Sequence, residues 1–209
     1  NASLPPCSAA ARVRRVAALP ASEVISVAAS PDASAAFVAD YSNHKIRRLE
    51  VATGEVTTLA GSGEGDDADG VGDAAQFYNP SGIAISRDGG MLFVADFSNN
   101  KIRRVEVATG AVTTIAGSGN RGDADGVGDA AQFCCPAGIA ISPDGGALFV
   151  ADLDNDKIRR VEVTTGAGRG TAGSADGVGG AAECNGPHGV TISPDGGALF
   201  VADCWSNKI

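Results

Sequence analysis

Short apolar runs rich in Val, Ile, Thr and Phe punctuate this chain, and Gly, Asp, Asn and Pro stand between them. Runs of about four to eight such residues bounded by turn formers predict strands. Gly82 to Ser86 reads as one strand and Met91 to Ala95 as the next, joined by an Arg87-Asp88-Gly89-Gly90 turn. Lys101 to Val107 reads as a third and Ala111 to Ala116 as a fourth, joined at Ala108-Thr109-Gly110. Helical periodicity is absent, although Asp73-Ala74-Ala75-Gln76-Phe77 has room for a single helical turn.

The same grammar returns along the chain. Phe-Val-Ala-Asp begins at Phe37, Phe93, Phe149 and Phe200, at spacings of 56, 56 and 51 residues. The last spacing is short because Gly166 to Gly173 and the Asp-Gly segment after it have lost positions. Gly-Ile-Ala-Ile-Ser or Gly-Val-Thr-Ile-Ser precedes three copies, at Gly82, Gly138 and Gly189. Asn-x-Lys-Ile-Arg-Arg follows at Asn43, Asn99 and Asn155, then Ala-Thr-Gly or Thr-Thr-Gly. Four antiparallel strands repeated at this period make a propeller blade, whereas a parallel β-helix expects a far shorter repeat.

These motifs, with Asp-Gly-Val-Gly-Asp-Ala-Ala-Gln-Phe between units, resemble the NHL-repeat β-propellers over residues 23 to 209. The fold expected is all-β: an NHL-type propeller of four-stranded antiparallel blades, with about three and a half blades in this chain. The repeats are taken as 23–78, 79–134, 135–185 and an incomplete 186–209 that stops in its third strand at Lys208-Ile209. The first copy departs from the pattern, with Ala33-Ser34-Ala35-Ala36 where later copies have Gly-Gly. The resemblance implies a ring of about six blades, so the arc is read as part of a longer chain or as a ring that another chain completes. Residues 1–22 fall outside the repeat and read as an arm or as the outer strand of a closing blade.

Composition narrows the classes. Hydrophobic residues make up 44% and charged residues 20% of 209, the range of a folded globular chain. The formal net charge of −9 opposes polyanions, and no run is long and apolar enough for a membrane span. Some NHL propellers bind RNA on a basic face. Here Lys45, Arg47 and Arg48 and their repeats alternate within strands, which splits each cluster between two faces, so nucleic acid is not the expected partner. Five cysteines, Cys7, Cys134, Cys135, Cys184 and Cys204, exceed the usual number in a cytosolic chain. Antiparallel pairing brings Cys184 near Cys204, so a disulfide there is an expectation, beside the alternative that all five are reduced. Asn1-Ala2-Ser3 matches the N-glycosylation sequon, and with the cysteines it points to a secreted, extracellular or luminal setting.

Candidate chemistry lies in the recurring charges. Asp40, Asp96, Asp152 and Asp203 close the Phe-Val-Ala-Asp motif, and Arg47, Arg103 and Arg159 recur where they can pair with them. A ring of carboxylates could hold a cation, but a residue present in every repeat usually builds the repeat, and the structural role is preferred. Asp67, Asp69, Asp123 and Asp125 sit before glycines in the connections between blades, a weak echo of calcium loops without the closing Glu. Calcium is therefore the one cofactor entertained, against ordinary tight turns. Peptidyl-amidating lyases are NHL-like propellers with histidine metal ligands, so His188, near Cys184 and Cys204, is a zinc candidate, outweighed by a lone satisfied histidine. No Gly-x-Ser-x-Gly, Cys–His frame or phosphate loop is present.

The expected function is a non-enzymatic binding or assembly module for a protein or a glycan. The alternatives are a metal-dependent propeller hydrolase or lyase with a channel-centred site, and a luminal or extracellular structural subunit of a large assembly.

Overall fold

The computed structural model describes residues 16–17, 23–163, 171–174 and 184–204, the strand at 171–174 by its backbone alone. Asp176-Gly177 and Lys208-Ile209 lie outside them. Three blades and the start of a fourth follow one another. The first is a meander of β1 (Val24–Ala29), β2 (Ala35–Asp40), β3 (Lys45–Glu50) and β4 (Val56–Ala60), in that spatial order.

The second and third blades repeat the meander and add a short strand. Gly70–Val71 (β5) precedes β6 (Pro80–Ile85), β7 (Met91–Asp96), β8 (Lys101–Glu106) and β9 (Ala111–Ala116). Gly126–Val127 (β10) precedes β11 (Pro136–Ile141), β12 (Ala147–Asp152), β13 (Lys157–Glu162) and β14 (Thr171–Ser174). In both sheets the short strand pairs on the outermost one, β5 on β9 and β10 on β14. The connection thus first caps the outer edge of the blade it is about to enter, covering unpaired backbone groups. The fourth unit begins with β15 (Pro187–Ile192) and β16 (Leu199–Asp203). Short strands thus form at Asp-Gly-Val-Gly, where the sequence predicts only turns, and one turn of 3-10 helix covers Gly72–Ala74 and another Gly128–Ala130, slightly before the Asp73–Phe77 stretch expected to hold it.

Alternation sorts the blade faces. One buried cluster joins Ala35, Phe37 and Ile46 of the first blade to Leu92, Val94 and Val105 of the second, with Phe77 of the connection between them. A second joins Phe93 and Ile102 to Leu148, Val150 and Val161 around Phe133. Each fully buried phenylalanine contributes about 1.5–3 kcal/mol of apolar transfer. The innermost strands approach so closely that a Cβ on Gly82 would lie 2.3 Å from the Ala137 carbonyl oxygen, and one on Gly138 would lie 2.5 Å from that of His188. Glycine in the Gly-Ile-Ala-Ile motif is thereby explained by its neighbour in the next blade.

The β6–β7 hairpin turn is held by Asp88, whose carboxylate accepts from Ser86 Oγ at 2.5 Å and Gly90 N–H at 3.0 Å. Asp144 and Asp195 repeat this arrangement. Ala33 makes the equivalent turn of the first blade at φ 56°, without the glycine of the later copies.

Candidate functional site

In the first three blades the strand that ends in Phe-Val-Ala-Asp is followed by one turn of 3-10 helix, Tyr41–Asn43, Phe97–Asn99 or Leu153–Asn155. These turns meet the entries of the innermost strands at one rim. Asp96 is buried at the base of the second turn, where Oδ1 accepts the Tyr78 N–H at 2.8 Å and Oδ2 accepts from Asn99 Nδ2 at 2.9 Å and Arg103 Nη1 at 2.7 Å. Asp152 has the same partners in the third blade: Cys134 N–H at 2.7 Å, Asn155 at 2.8 Å and Arg159 at 3.0 Å. Burial pushes both carboxyls up from the ordinary aspartate value, Asp96 to about 6, against the pull of the arginine. In the first blade Arg47 Nε reaches Asp40 at 2.8 Å. Asp203 accepts the Asn185 N–H at 3.0 Å.

Arg103 and Arg159 are fully buried, and their guanidinium groups lie over the rings of Phe77 and Phe133 at 5.2 and 5.1 Å. Arg103 also donates to the carbonyls of Gln76 and Ala68 and to Asp69 at 2.8 Å, while Lys101 bonds Asp67. Arg159 likewise bonds Gln132, Ala124 and Asp125, and Lys157 bonds Asp123 at 2.7 Å, holding that carboxyl below its usual range. The four calcium candidates thus each meet a cationic side chain from about 34 residues downstream. Asp67 and Asp69 face a polar cleft of about 480 Å³ with Lys101, Thr114 and Asp129.

The residue ending each 3-10 turn is left-handed: His44 at φ 56°, Asn100 at 53° and Asp156 at 54°. Its side chain accepts a backbone N–H from the next blade. His44 Nδ1 accepts from Asn79 at 3.1 Å, Asn100 Oδ1 from Cys135 at 3.0 Å, and Asp156 Oδ1 from Gly186 at 2.8 Å. This bond fixes His44 as the Nε2–H tautomer. These latches escaped the sequence reading, and their one signal is a polar residue before each Lys-Ile-Arg-Arg.

Around the first latch stands an aromatic cluster. The His44 and Tyr78 rings meet edge-on at 5.4 Å, and Tyr41 meets Phe97 edge-on at 6.0 Å. Tyr78 is 44% exposed. Asn79 Nδ2 donates to the Tyr41 carbonyl at 3.2 Å, and Ser98 Oγ donates to Asn79 Oδ1 at 3.0 Å, so the cluster sits on a bonded base. Both tyrosines of the chain are here. In the next blade Cys134 replaces Tyr78 and Leu153 replaces Phe97, so this surface belongs to two blades and not to the repeat.

The remaining candidates separate. Cys134, Cys135, Cys184 and Cys204 are free thiols, so the expected Cys184–Cys204 bridge is not formed; both residues sit on the β15–β16 unit with unjoined sulfurs. Among the described residues His188, Cys184 and Cys204 form no ligand cluster, and the one grouping of metal-ligand type is Cys134, Cys135 and Asp154. His188 is exposed, whereas its counterparts Ser81 and Ala137 are buried. Cys7 and Asn1 lie outside the described residues. No helix among the described residues is long and apolar enough to cross a membrane.

Residues 27–209 match the family described as lactonase, 7-bladed beta-propeller, one blade more than the ring of about six that the NHL resemblance implied. The chloroplastic protein SUPPRESSOR OF QUENCHING 1 of Arabidopsis thaliana is 36% identical over 151 residues, 67% of this chain and 14% of that protein. NHL repeat-containing protein 2 of Bos taurus is 34% identical over 150 residues, 68% of this chain and 20% of that protein. The chain therefore spans a fifth or less of these relatives. Among solved structures, an auxiliary nutrient binding protein from Bacteroides thetaiotaomicron superposes with a TM-score of 0.65 over 85% of this chain and 44% of its own, at 16% identity, a similarity of fold.

Proposed function

Given that the chain belongs to the seven-bladed, lactonase-type β-propeller family and carries NHL-type repeats, we propose that it is a non-enzymatic binding module that presents one rim to a protein or glycan partner. The observation that carries this reading is the Tyr41–His44–Tyr78–Phe97 cluster. Aromatic rings offer large contact area at low entropic cost, and a base already hydrogen-bonded in place lowers the cost of binding. The recurring charges favour the same reading, because Asp96, Asp152, Arg103 and Arg159 are buried in bonds that build the frame. A fold neighbour named as an auxiliary nutrient binding protein is in keeping with a binding role. A secreted or luminal setting belongs to this proposal and rests on the Asn1 sequon.

The test is to compare the wild type with Tyr78→Ala and Tyr41→Ala on an oligosaccharide panel and in crosslinked co-purification from the native source. A ligand held by the wild type is expected to be lost or weakened by about 2 kcal/mol in the variants, while the circular dichroism stays unchanged. Equal binding by both variants would remove the rim from the proposal. Turnover of a lactone, lost in His188→Ala, would replace binding by catalysis.

A further inference from the structure

We propose that Cys134, Cys135 and Asp154 form a site for one thiophilic metal ion, with Zn²⁺ as its biological occupant. One ligand atom from each lies within 4.8 Å of the other two, and Cys134 Sγ stands 3.7 Å from Asp154 Oδ2. A tetrahedral zinc ion with Zn–S bonds of about 2.3 Å holds two sulfurs about 3.8 Å apart, so a side-chain adjustment of about 1 Å closes the set.

The backbone explains how adjacent cysteines come to share a target. Neighbours in a strand point to opposite faces. Cys135 is left-handed at φ 56°, which breaks the alternation just before β11 and turns its sulfur toward the same carboxylate. The frame is pinned at each ligand. Cys134 N–H donates to Asp152 at 2.7 Å, Cys135 N–H donates to Asn100 at 3.0 Å, and Asp154 N–H donates to the Cys134 carbonyl at 3.1 Å. Such preorganisation is what a metal site requires of its supporting residues.

The repeat supplies the comparison. At the same places the second blade has Tyr78, Asn79 and Ser98, and the fourth unit begins with Asn185 and Gly186. A ligand set present in one blade and absent from the others is not needed to build a blade. Two thiolates select Zn²⁺ or softer ions over Ca²⁺ and Mg²⁺. Each thiol releases its proton to solvent as the ion binds, and no oxidant is involved. Asp154 is exposed, which leaves the fourth position to water. Arg121 Nη1 lies 3.9 Å from Asp154 and competes for it, but its side chain is 69% exposed and free to swing away.

The experiment titrates the reduced, metal-free full-length protein with Co²⁺ and follows the near-ultraviolet thiolate-to-cobalt absorption, then displaces Co²⁺ with Zn²⁺. One ion per chain is expected. Cys135→Asn installs the residue that the second blade carries at the same left-handed position, so it keeps the fold while removing a ligand. It and Cys134→Ser should each abolish the band. Asp154→Asn should weaken Co²⁺ at least roughly tenfold, and Arg121→Ala should strengthen it. Cys184→Ser with Cys204→Ser should leave it intact. A protein that shows no thiolate band, or a band that survives in both Cys134→Ser and Cys135→Asn, would overturn the site.

Discussion

Arg103 illustrates how much one side chain decides. Its guanidinium is fully buried, yet it pairs with Asp96 from its own sheet and with Asp69 from the preceding connection, and it fills two backbone carbonyls besides. A lysine could not supply this planar fork of donors while lying on the Phe77 ring. The burial that makes Arg103 useful penalises the charge on its partner, and the Asp96 carboxyl sits at about 6 in the fold against 3.8 in the unfolded chain. Between these values the folded protein keeps a proton that the unfolded chain has released. The resulting stability is full below about 3.8 and is lost as pH rises through about 6. Turn aspartates act with the opposite sign: hydrogen bonds from Ser30 and Ser34 hold Asp32 at about 2, so its contribution is full above about 3.8 and is lost as pH falls through about 2. The wild-type pH curve is thus a composite, and the variant isolates one part of it. Asp96→Asn is expected to show a urea midpoint that changes less between about pH 4 and pH 7 than that of the wild type. Parallel curves would show that the Asp96 titration does not contribute.

At the scale of elements, the innermost strands are set by contact more than by propensity. Gly82→Ala would drive a Cβ into the Ala137 carbonyl, backbone against backbone, with no flexible atom to yield. A loss of about 3 kcal/mol or more is expected in denaturant melts. Gly189→Ala meets Ala202 only at 3.4 Å and should cost far less. Equal costs would mean that the inner strands stand further apart than described. This is also where sequence reading reached its boundary. The strands, their order in the blade and the Asp–Arg recurrence were legible because each depends on nearby residues and repeats at a fixed spacing. The reason for Gly82 was not, since the atom it avoids belongs to a residue in the following unit. Asp67 and Asp69 were ambiguous for a similar reason. Carboxylates before glycine suit an ion or an ion pair equally, and the deciding cations, Lys101 and Arg103, lie about 34 residues on. The aromatic rim joined Tyr41, His44, Tyr78 and Phe97 across two blades, which no local pattern could announce.

For the whole molecule the question is how a blade ends. The face of the first blade that carries Val24, Val27, Val38, Leu49 and Val56 corresponds in register to the face of the second that is buried against its neighbour. Val27 is 56% exposed, whereas Ile83, its counterpart, is 5% exposed. Val16 and Ala17 lean over this face and close a cavity of about 230 Å³ with its valines. Their placement is informative. A Cβ on Gly54 would meet the Val16 carbonyl oxygen at 2.7 Å, just as one on Gly110 would meet that of Leu59, in the outer strand of the preceding blade, at 2.6 Å. Val16 thus stands against Gly54 much as Leu59 stands against Gly110. If a blade completed around Val16 covers this face in the full-length protein, Val27→Asp buries an unpaired charge. It should then cost about 3–5 kcal/mol, as Ile83→Asp should at the interface already seen. If the face meets water, Val27→Asp should change the urea midpoint by no more than an ordinary surface substitution, about 0.5 kcal/mol, while Ile83→Asp still unfolds the chain. The two variants measured side by side decide whether the apolar face of the first blade is an interior surface.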